Sequence, residues 1–163
     1  MEQRVGIGYD SHRLSKYRKM YIGGIEIPYE YGLEGHSDAD VLIHAFIDAL
    51  LGASGLGDIG TLFPDTDKRY KDIRSTLLLE ETVKRIQKDG WEIVNIDSIV
   101  FAELPKLNPF IQRIREELSK IMNIKISFIN IKAKTNEGMG FVGRHEGIAA
   151  LAVVLLKRGE VNE

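Results

Sequence analysis

Val5-Gly6-Ile7-Gly8-Tyr9-Asp10-Ser11-His12 decides how this chain is put together. Over Val5–Tyr9 large side chains alternate with glycine, the period-2 pattern of a β-strand whose backbone is closely approached by another element. Residues i and i+2 of an extended strand point the same way, ~6.5 Å apart. Asp10 and His12 therefore stand side by side, and Ser11 faces the other way. Working outward, Tyr21–Ile27 reads as a small hairpin turning at Gly23-Gly24. Asp38 or Asp40 can cap a helix through Val41, Leu42, Ala45, Phe46, Ala49 and Leu50, which Gly52 or Gly55 ends. His44 lies inside this helix, with Asp40 and Asp48 at i−4 and i+4 on the same stripe.

The stretch Gly55–Asp72 is rich in Gly, Asp and Pro and reads as a long loop. A second helix spans Ser75 to Lys88, with Leu78, Leu79, Thr82, Val83 and Ile86 at helical spacing and Gly90 as its stop. Glu92–Glu103 reads as a strand, Pro109–Met122 as a helix with Pro near its start, and Ile124–Lys132 as another strand. The Ile/Val content of Glu146–Leu156 tilts it to strand. Strands and helices mix along the chain, so the class is α/β (α+β). The expectation is one domain over residues 1–163, a mixed four-stranded sheet covered by helices, plus the hairpin.

Composition narrows the chemistry. Of 163 residues, 44% are hydrophobic and 28% charged, as in ordinary globular chains. Lys and Arg number 22 against 24 Asp and Glu, a net charge of −2, which argues against nucleic acid as a partner. Cysteine is absent, so disulfides, thiolate nucleophiles and every Cys-ligated metal site are excluded. The N-terminus carries no apolar run, and the longest apolar stretch, Ile148–Leu156, falls far short of the ~20 residues that span a bilayer. A cytoplasmic location is the expectation, or an organelle stroma if a transit peptide has been removed.

Asp10, His12 and His44 are the candidate metal set: one carboxylate and two imidazoles from two rigid elements, with a fourth coordination position left open. A packed or solvated helical histidine beside a chance Asp-x-His pair is the simpler alternative, and spacing alone leaves both standing. Gly35-His36-Ser37-Asp38 precedes the helix and fits either an anion site of free N–H groups or plain helix capping. The carboxylates Asp58, Asp65 and Asp67 fit a sugar or cation site, but Asp and Gly are also what turns are made of. Gly138-Met-Gly140-Phe-Val-Gly143 matches a dinucleotide fingerprint in form only, since too little chain follows it for the rest of that unit. With Thr135-Asn136-Glu137 before it and Arg144 after, it reads as a backbone loop around phosphates, or simply as a loop.

Taken in order, the blocks GYDSH (Gly8–His12), IGGIEIP (Ile22–Pro28), GHSDADVLIHAFIDALLGA (Gly35–Ala53), GDIGTLFPDTD (Gly57–Asp67), AELPKL (Ala102–Leu107) and KTNEGMGFVGRHEGIA (Lys134–Ala149) resemble one family. It is the 2-C-methyl-D-erythritol 2,4-cyclodiphosphate synthases of non-mevalonate isoprenoid biosynthesis, and the likeness runs from Arg4 to about Lys157. It implies a homotrimer, with sheets packed about a threefold axis and active sites between subunits, at the length of the stand-alone synthase. The implied activity is a phosphorus–oxygen lyase reaction. The 2-phosphate of 4-diphosphocytidyl-2-C-methyl-D-erythritol 2-phosphate attacks the β-phosphorus, closing a cyclic diphosphate and releasing CMP.

On matching positions the resemblance makes Asp10, His12 and His44 zinc ligands. It gives Glu137 a second divalent ion, Mg2+ or Mn2+, bridging the substrate phosphates. His36 and Thr135 would position those phosphates, with Ser37 beside His36. Asp58, Ile59 and Gly60 would hold the ribose, and Phe63, Pro64, Asp65, Thr66 and Asp67 would form a mobile loop over the methylerythritol. Ala102, Glu103, Leu104, Pro105, Lys106 and Leu107 would frame the cytosine. Phe141 and Arg144 would lie near the trimer axis, where relatives have a cavity proposed for isoprenoid diphosphates. Lys134 stands where relatives commonly carry Thr, and Asn136 where Thr also occurs, and Lys134 adds a cation near the phosphates or the axis. Two other classes are separable by product: a metal-dependent nucleotide phosphohydrolase would give a linear product, and a non-catalytic nucleotide- or isoprenoid-binding module would release no CMP.

Overall fold

The computed structural model describes residues 1–159; the tail of the expected domain, residues 160–163, lies outside the described residues. The strands are β1 (Glu2–Lys16), β2 (Met20–Ile22), β3 (Ile25–Ile27), β4 (Tyr31–Leu33), β5 (Glu92–Phe101), β6 (Ile129–Lys134) and β7 (Gly147–Arg158). The α-helices are α1 (Val41–Ser54), α2 (Ile59–Leu62), α3 (Ser75–Lys88), α4 (Ile111–Met122) and α5 (Gly140–Gly143). The main sheet has the order β4-β1-β7-β5-β6, and β2 and β3 form the separate hairpin. Among the described residues β5 and β6 run parallel and the other main-sheet pairs are antiparallel, so the sheet is mixed as expected.

The expected four-stranded sheet has five strands. Tyr31–Leu33, too short to show alternation in sequence, pairs with Leu14–Lys16 at the edge. Two boundaries also shift. The strand expected from Ile124 begins at Ile129, because Ile126–Phe128 forms a 3-10 turn. The guanidinium of Arg115 takes the carbonyl of Ile126, the first residue of that turn, and that of Ile129 just after it. The helix expected from Pro109 starts as a 3-10 turn at Asn108–Phe110 and becomes α-helical at Ile111. The expected loop between Gly55 and Asp72 holds α2 and a 3-10 turn at Lys68–Tyr70, capped by the side chains of Asp58 and Asp67.

Helix α1 is buried on nearly every side, and His44, Asp48 and Gly52 mark its one stripe outside the core. A helix apolar all round belongs in a protein interior. It reaches the sheet because Gly6 and Gly8 carry no side chain. A Cβ on Gly6 would stand 1.9 Å from the Ala49 carbonyl oxygen, and one on Gly8 1.9 Å from that of Ala45. The close approach read from the Val5–Tyr9 alternation is thus a strand laid directly on an alanine-faced helix.

Of the two capping candidates, Asp40 caps α1, accepting from Ile43 N at 3.1 Å. It also accepts from the turn amides of Gly23 (2.9 Å) and Gly24 (2.7 Å), which have φ of 60° and 82°. One buried carboxylate therefore ties the hairpin to the helix start. Gly55, at φ 76°, ends the helix.

Among the described residues, no helix lies over the other face of β1. Val5, Ile7 and Tyr9 are 69%, 67% and 53% exposed. Ile7 sits opposite Val153 of β7, itself 41% exposed, so the face is continuous across strands.

Candidate metal centre and its cavity

Two residues along β1 from Gly8, the same face of the strand carries Asp10 and then His12. The approach set by the glycines brings His44 of α1 to meet them. Asp10 Oδ2 lies 2.7 Å from His12 Nε2 and 3.2 Å from His44 Nδ1, and the two ring nitrogens are 3.2 Å apart. Zinc–nitrogen bonds of about 2.0–2.1 Å in a tetrahedron put neighbouring ligand atoms about 3.3 Å apart, which the two 3.2 Å separations match, while the Asp10–His12 pair is closer at 2.7 Å. His12 Nδ1 donates to the Glu34 carbonyl at 2.8 Å. A carbonyl only accepts, so His12 presents the Nε2 lone pair to the cluster.

Asp10 Oδ2 is buried without a hydrogen-bond donor. The buried Asp10 oxygen, the His12 Nε2 lone pair and His44 Nδ1 thus converge on one point, an arrangement suited to a cation. Burial raises the Asp10 carboxyl, but the imidazoles of His12 and His44 outweigh it and hold it at about 2. Burial lowers His12, and the Asp10 carboxylate outweighs that, leaving it above the usual histidine range. Positive charge is favoured here from both sides, and a divalent metal fits the donor set. Among the described residues this is the one group of three or more His or carboxylate side chains gathered at metal-ligand spacing.

The flanking aspartates of the α1 stripe do not join the set. Asp40 is held by the hairpin amides, where burial and then the Asp38 charge push it up to about 6. Asp48 Oδ1 accepts from Ile59 N at 2.8 Å and so holds the start of α2.

A cavity of about 410 Å³ opens beside the metal cluster, lined by His12, Gly35, His36, Ser37, His44, Ile59, Gly60, Phe63, Pro64 and Asp65. Tyr70 and Leu78 complete its wall. Sequence reading gave these two no site role: Leu78 belongs to an apolar helix stripe, and nothing around Tyr70 distinguishes it. Thr66, Asp67 and Asp58 do not line the cavity. Asp58 Oδ1 caps α2 through Thr61 N and Oγ1, and the Asp67 carboxylate pairs with Arg69. The loop is fastened to the site by His36, whose Nε2 donates to the Asp67 carbonyl at 3.0 Å and whose own carbonyl accepts from Asp72 N at 2.8 Å.

A second cavity is lined by Val100, Ala102, Pro105, Lys106, Leu107, Asn108, Ala133, Lys134 and Thr135, and it shares no residue with the first. Its two sides are joined where Ala102 N donates to the Lys134 carbonyl (2.9 Å) and Asn136 N to Glu103 Oε1 (2.7 Å). Leu104 is exposed nearby. Thr135 Oγ1 accepts from Glu137 N at 3.3 Å, and Glu137 has a left-handed φ of 53°. Phe141 is half-buried on α5, and Arg144 pairs with Glu146 at 3.2 Å. The structure therefore gathers His12, His36, Ser37 and His44 at one cavity, with Asp10 against the two cluster histidines, and Lys106, Lys134 and Thr135 at another.

The chain is similar to named proteins over nearly its whole length. The 2-C-methyl-D-erythritol 2,4-cyclodiphosphate synthase of Syntrophomonas wolfei is 52% identical over 155 residues, covering 95% of this chain and 99% of that one. A solved 2C-methyl-D-erythritol-2,4-cyclodiphosphate synthase in a CDP-bound form is 40% identical with a TM-score of 0.87, covering 94% of this chain and all of that one. The bifunctional IspDF of Campylobacter jejuni is 42% identical with a TM-score of 0.93, over 98% of this chain and 43% of that longer one. The YgbB family profile matches residues 3–157. With fold, metal cluster and near full-length likeness in agreement, this chain belongs to the YgbB family.

Proposed function

We propose that this protein is a metal-dependent phosphorus–oxygen lyase that cyclises 4-diphosphocytidyl-2-C-methyl-D-erythritol 2-phosphate. An oxygen of the 2-phosphate forms a bond to the β-phosphorus, the bond from that phosphorus to the α-phosphate oxygen breaks, and CMP leaves. The product is 2-C-methyl-D-erythritol 2,4-cyclodiphosphate, a precursor in non-mevalonate isoprenoid synthesis. The observation that carries the reading is the convergence of Asp10, His12 and His44 at the 410 Å³ cavity, in a chain so similar to synthases of that name.

Joining two phosphates sets anion against anion, and one like-charge pair at 4 Å costs about 4 kcal/mol at an effective dielectric of 20. Phosphoryl transfer asks mainly for positioning and charge neutralisation. A divalent ion on Asp10, His12 and His44 supplies that neutralisation when bound. His36 and Ser37 line the adjoining cavity; the Ser37 hydroxyl can donate to phosphate oxygens, and His36, with its Nε2 on the Asp67 carbonyl, would position them. Thr135 would hold the phosphates from the second cavity, and Glu137 beside it would hold a second Mg2+ or Mn2+. Ala102 to Leu107 would frame the cytosine. Asp58, Ile59 and Gly60 would take the ribose, and Phe63 to Asp67 would cover the methylerythritol.

The two cavities share no lining residue, and a substrate drawing on both chemistries would be served by two copies of the chain, each supplying one cavity. The uncovered apolar face of Val5, Ile7, Tyr9 and Val153 is where copies would pack, as a homotrimer with Phe141 and Arg144 near its axis. The test is product analysis by phosphorus NMR with the cytidyl substrate, with and without chelator. CMP plus a cyclic diphosphate, lost on chelation and restored by Zn2+ and Mg2+, is expected. A linear phosphate product, or turnover unaffected by chelation, would overturn the reading.

A further inference from the structure

His44 can serve the metal only if its Nδ1, the nitrogen facing Asp10, is free of a proton. In a neutral imidazole the proton must then sit on Nε2. That nitrogen faces two hydroxyls, Ser75 Oγ at 2.9 Å and Ser37 Oγ at 3.1 Å, and a hydroxyl can donate or accept. What decides the direction lies one residue further out. The Asp38 carboxylate receives Ser75 N at 3.0 Å and Arg74 Nε at 3.2 Å on Oδ2, and Asp40 N at 3.2 Å on Oδ1. Its fourth contact is the Ser75 hydroxyl, on Oδ1.

A carboxylate paired with a guanidinium only accepts, so the single Ser75 hydroxyl proton points to Asp38. The Ser75 oxygen then has only lone pairs left, which a proton on His44 Nε2 meets; Ser37, whose oxygen accepts from Ala39 N at 3.2 Å, can turn its own proton to the Ser75 oxygen at 3.4 Å. The opposite tautomer would turn Ser75 toward His44 and leave a lone pair of its oxygen against Asp38. The chain is built tightly: Ser75 is fully buried, the Asp38 side chain is 6% exposed, and Arg74 stacks over Tyr21 at 4.1 Å and donates to the Gly24 carbonyl. His12 reaches the same end more simply, through the Glu34 carbonyl.

We propose that Ser75 and Asp38 are positioning residues that fix the His44 tautomer, so that Nδ1 presents its lone pair to the metal point. The inference rests on the metal reading of Asp10, His12 and His44. Its test uses the full chain labelled with 15N-histidine, which contains four histidines. Long-range 1H–15N correlation on chelated protein should show His44 protonated at Nε2. Zinc affinity is measured separately by competition with a chromophoric chelator. Ser75→Ala should weaken zinc by about 10–100-fold, the usual cost of losing a hydrogen-bond partner of a ligating histidine.

Asp38→Asn should go further. Its oxygen is drawn to Arg74 and Ser75 N, and its NH2 then faces the Ser75 hydroxyl, which must turn and donate to His44. The His44 signal should switch to the Nδ1-protonated form while His12 keeps its own tautomer, a selectivity that general loosening would not produce. A His44 already protonated at Nδ1 in the parent protein, or zinc affinity unchanged in folded Ser75→Ala, overturns the relay alone when the parent protein binds zinc. A parent protein that takes up no zinc overturns the metal reading with it. Should either variant fail to fold, the tautomer of the parent protein decides.

Discussion

Replacing Gly8 by Ala separates the packing that builds the metal centre from the residues that form it. The new Cβ would stand 1.9 Å from the Ala45 carbonyl oxygen and 2.7 Å from Ala49 N, both backbone atoms of α1. Ordinary contact begins at 3.4 Å, so strand and helix must part by roughly 1.5 Å at this point, because a close-packed interior offers no slack. Zinc bonds tolerate about 0.2 Å, so an ion held by Asp10 and His12 on the strand would lose His44 on the helix. Overpacking of this kind costs about 1–3 kcal/mol. In a chain of this size that lowers Tm by roughly 2–12 °C. The assay pairs zinc competition titration with thermal unfolding, each with and without chelator. Zinc affinity should fall by more than the ~100-fold that loss of a supporting hydrogen bond costs, and the gap in Tm between loaded and stripped protein should close. Gly52→Ala is the control: it lies on the same helix, its Cβ would meet only the Ile7 carbonyl at 3.8 Å, and helix propensity favours the change by about 1 kcal/mol. Gly8→Ala with parental zinc affinity and Tm would refute the argument that the glycine approach positions the ligands.

Other outcomes follow from the same geometry. His44→Ala should retain its far-UV circular dichroism yet lose tight zinc binding and CMP release in the chelator-controlled assay. Stripping the metal from the parent protein should also leave secondary structure intact, since the apolar core surrounds α1 independently of the ligands, while Tm drops; ligand at 100 times its Kd contributes about 2.7 kcal/mol. Asp40→Asn turns an NH2 toward the Gly24 amide and should cost about 1–3 kcal/mol in urea unfolding, with faster hydrogen exchange at Gly24. Because burial and the Asp38 charge raise Asp40 from 3.8 to about 6, the folded state holds that proton more tightly than the unfolded one. Its contribution is greatest below pH 3.8 and is lost as pH rises through 6, a slope that Asp40→Asn should remove. Ile7→Glu, on the uncovered face, should reduce the molecular mass seen by light scattering to that of one chain.

Much of this was legible because it is written in short-range patterns. Alternation with glycine in Val5–Tyr9 announced both the strand and its close neighbour. The i, i+2 rule put Asp10 beside His12, and helical spacing placed His44 one stripe away from the buried face. The hairpin at Gly23-Gly24 and the span of α3 needed nothing beyond turn and capping chemistry. What escaped depends on contacts between distant residues. Tyr31–Leu33 becomes a strand only because Leu14–Lys16 offers an edge. Ile126–Phe128 carries the composition of a strand but is wound into a turn, with the carbonyls of Ile126 and Ile129 taken by Arg115. Asp38 looked like a cap for the helix that follows it, and it serves Ser75 instead, 37 residues on. Ser75 itself read as no more than a helix start. No local pattern encodes such a pairing.

The two faces of β1 carry different cargo: Gly6, Gly8, Asp10 and His12 toward α1, Val5, Ile7 and Tyr9 away from it. What keeps them apart is the ladder to β7, from Glu2 opposite Arg158 to Arg13 opposite Gly147. Losing one residue between Glu2 and Tyr9 would force a choice. If β1 kept its ladder ahead of the deletion, every later side chain would change sides, and Asp10 and His12 would face away from His44. If it kept the ladder beyond the deletion, the ligands would stay and the residues ahead would flip, driving bulky side chains into the space that the glycines leave open. A single-codon deletion in this strand is therefore a more damaging lesion than most substitutions, and removing two neighbouring codons, which restores the alternation, is the milder one.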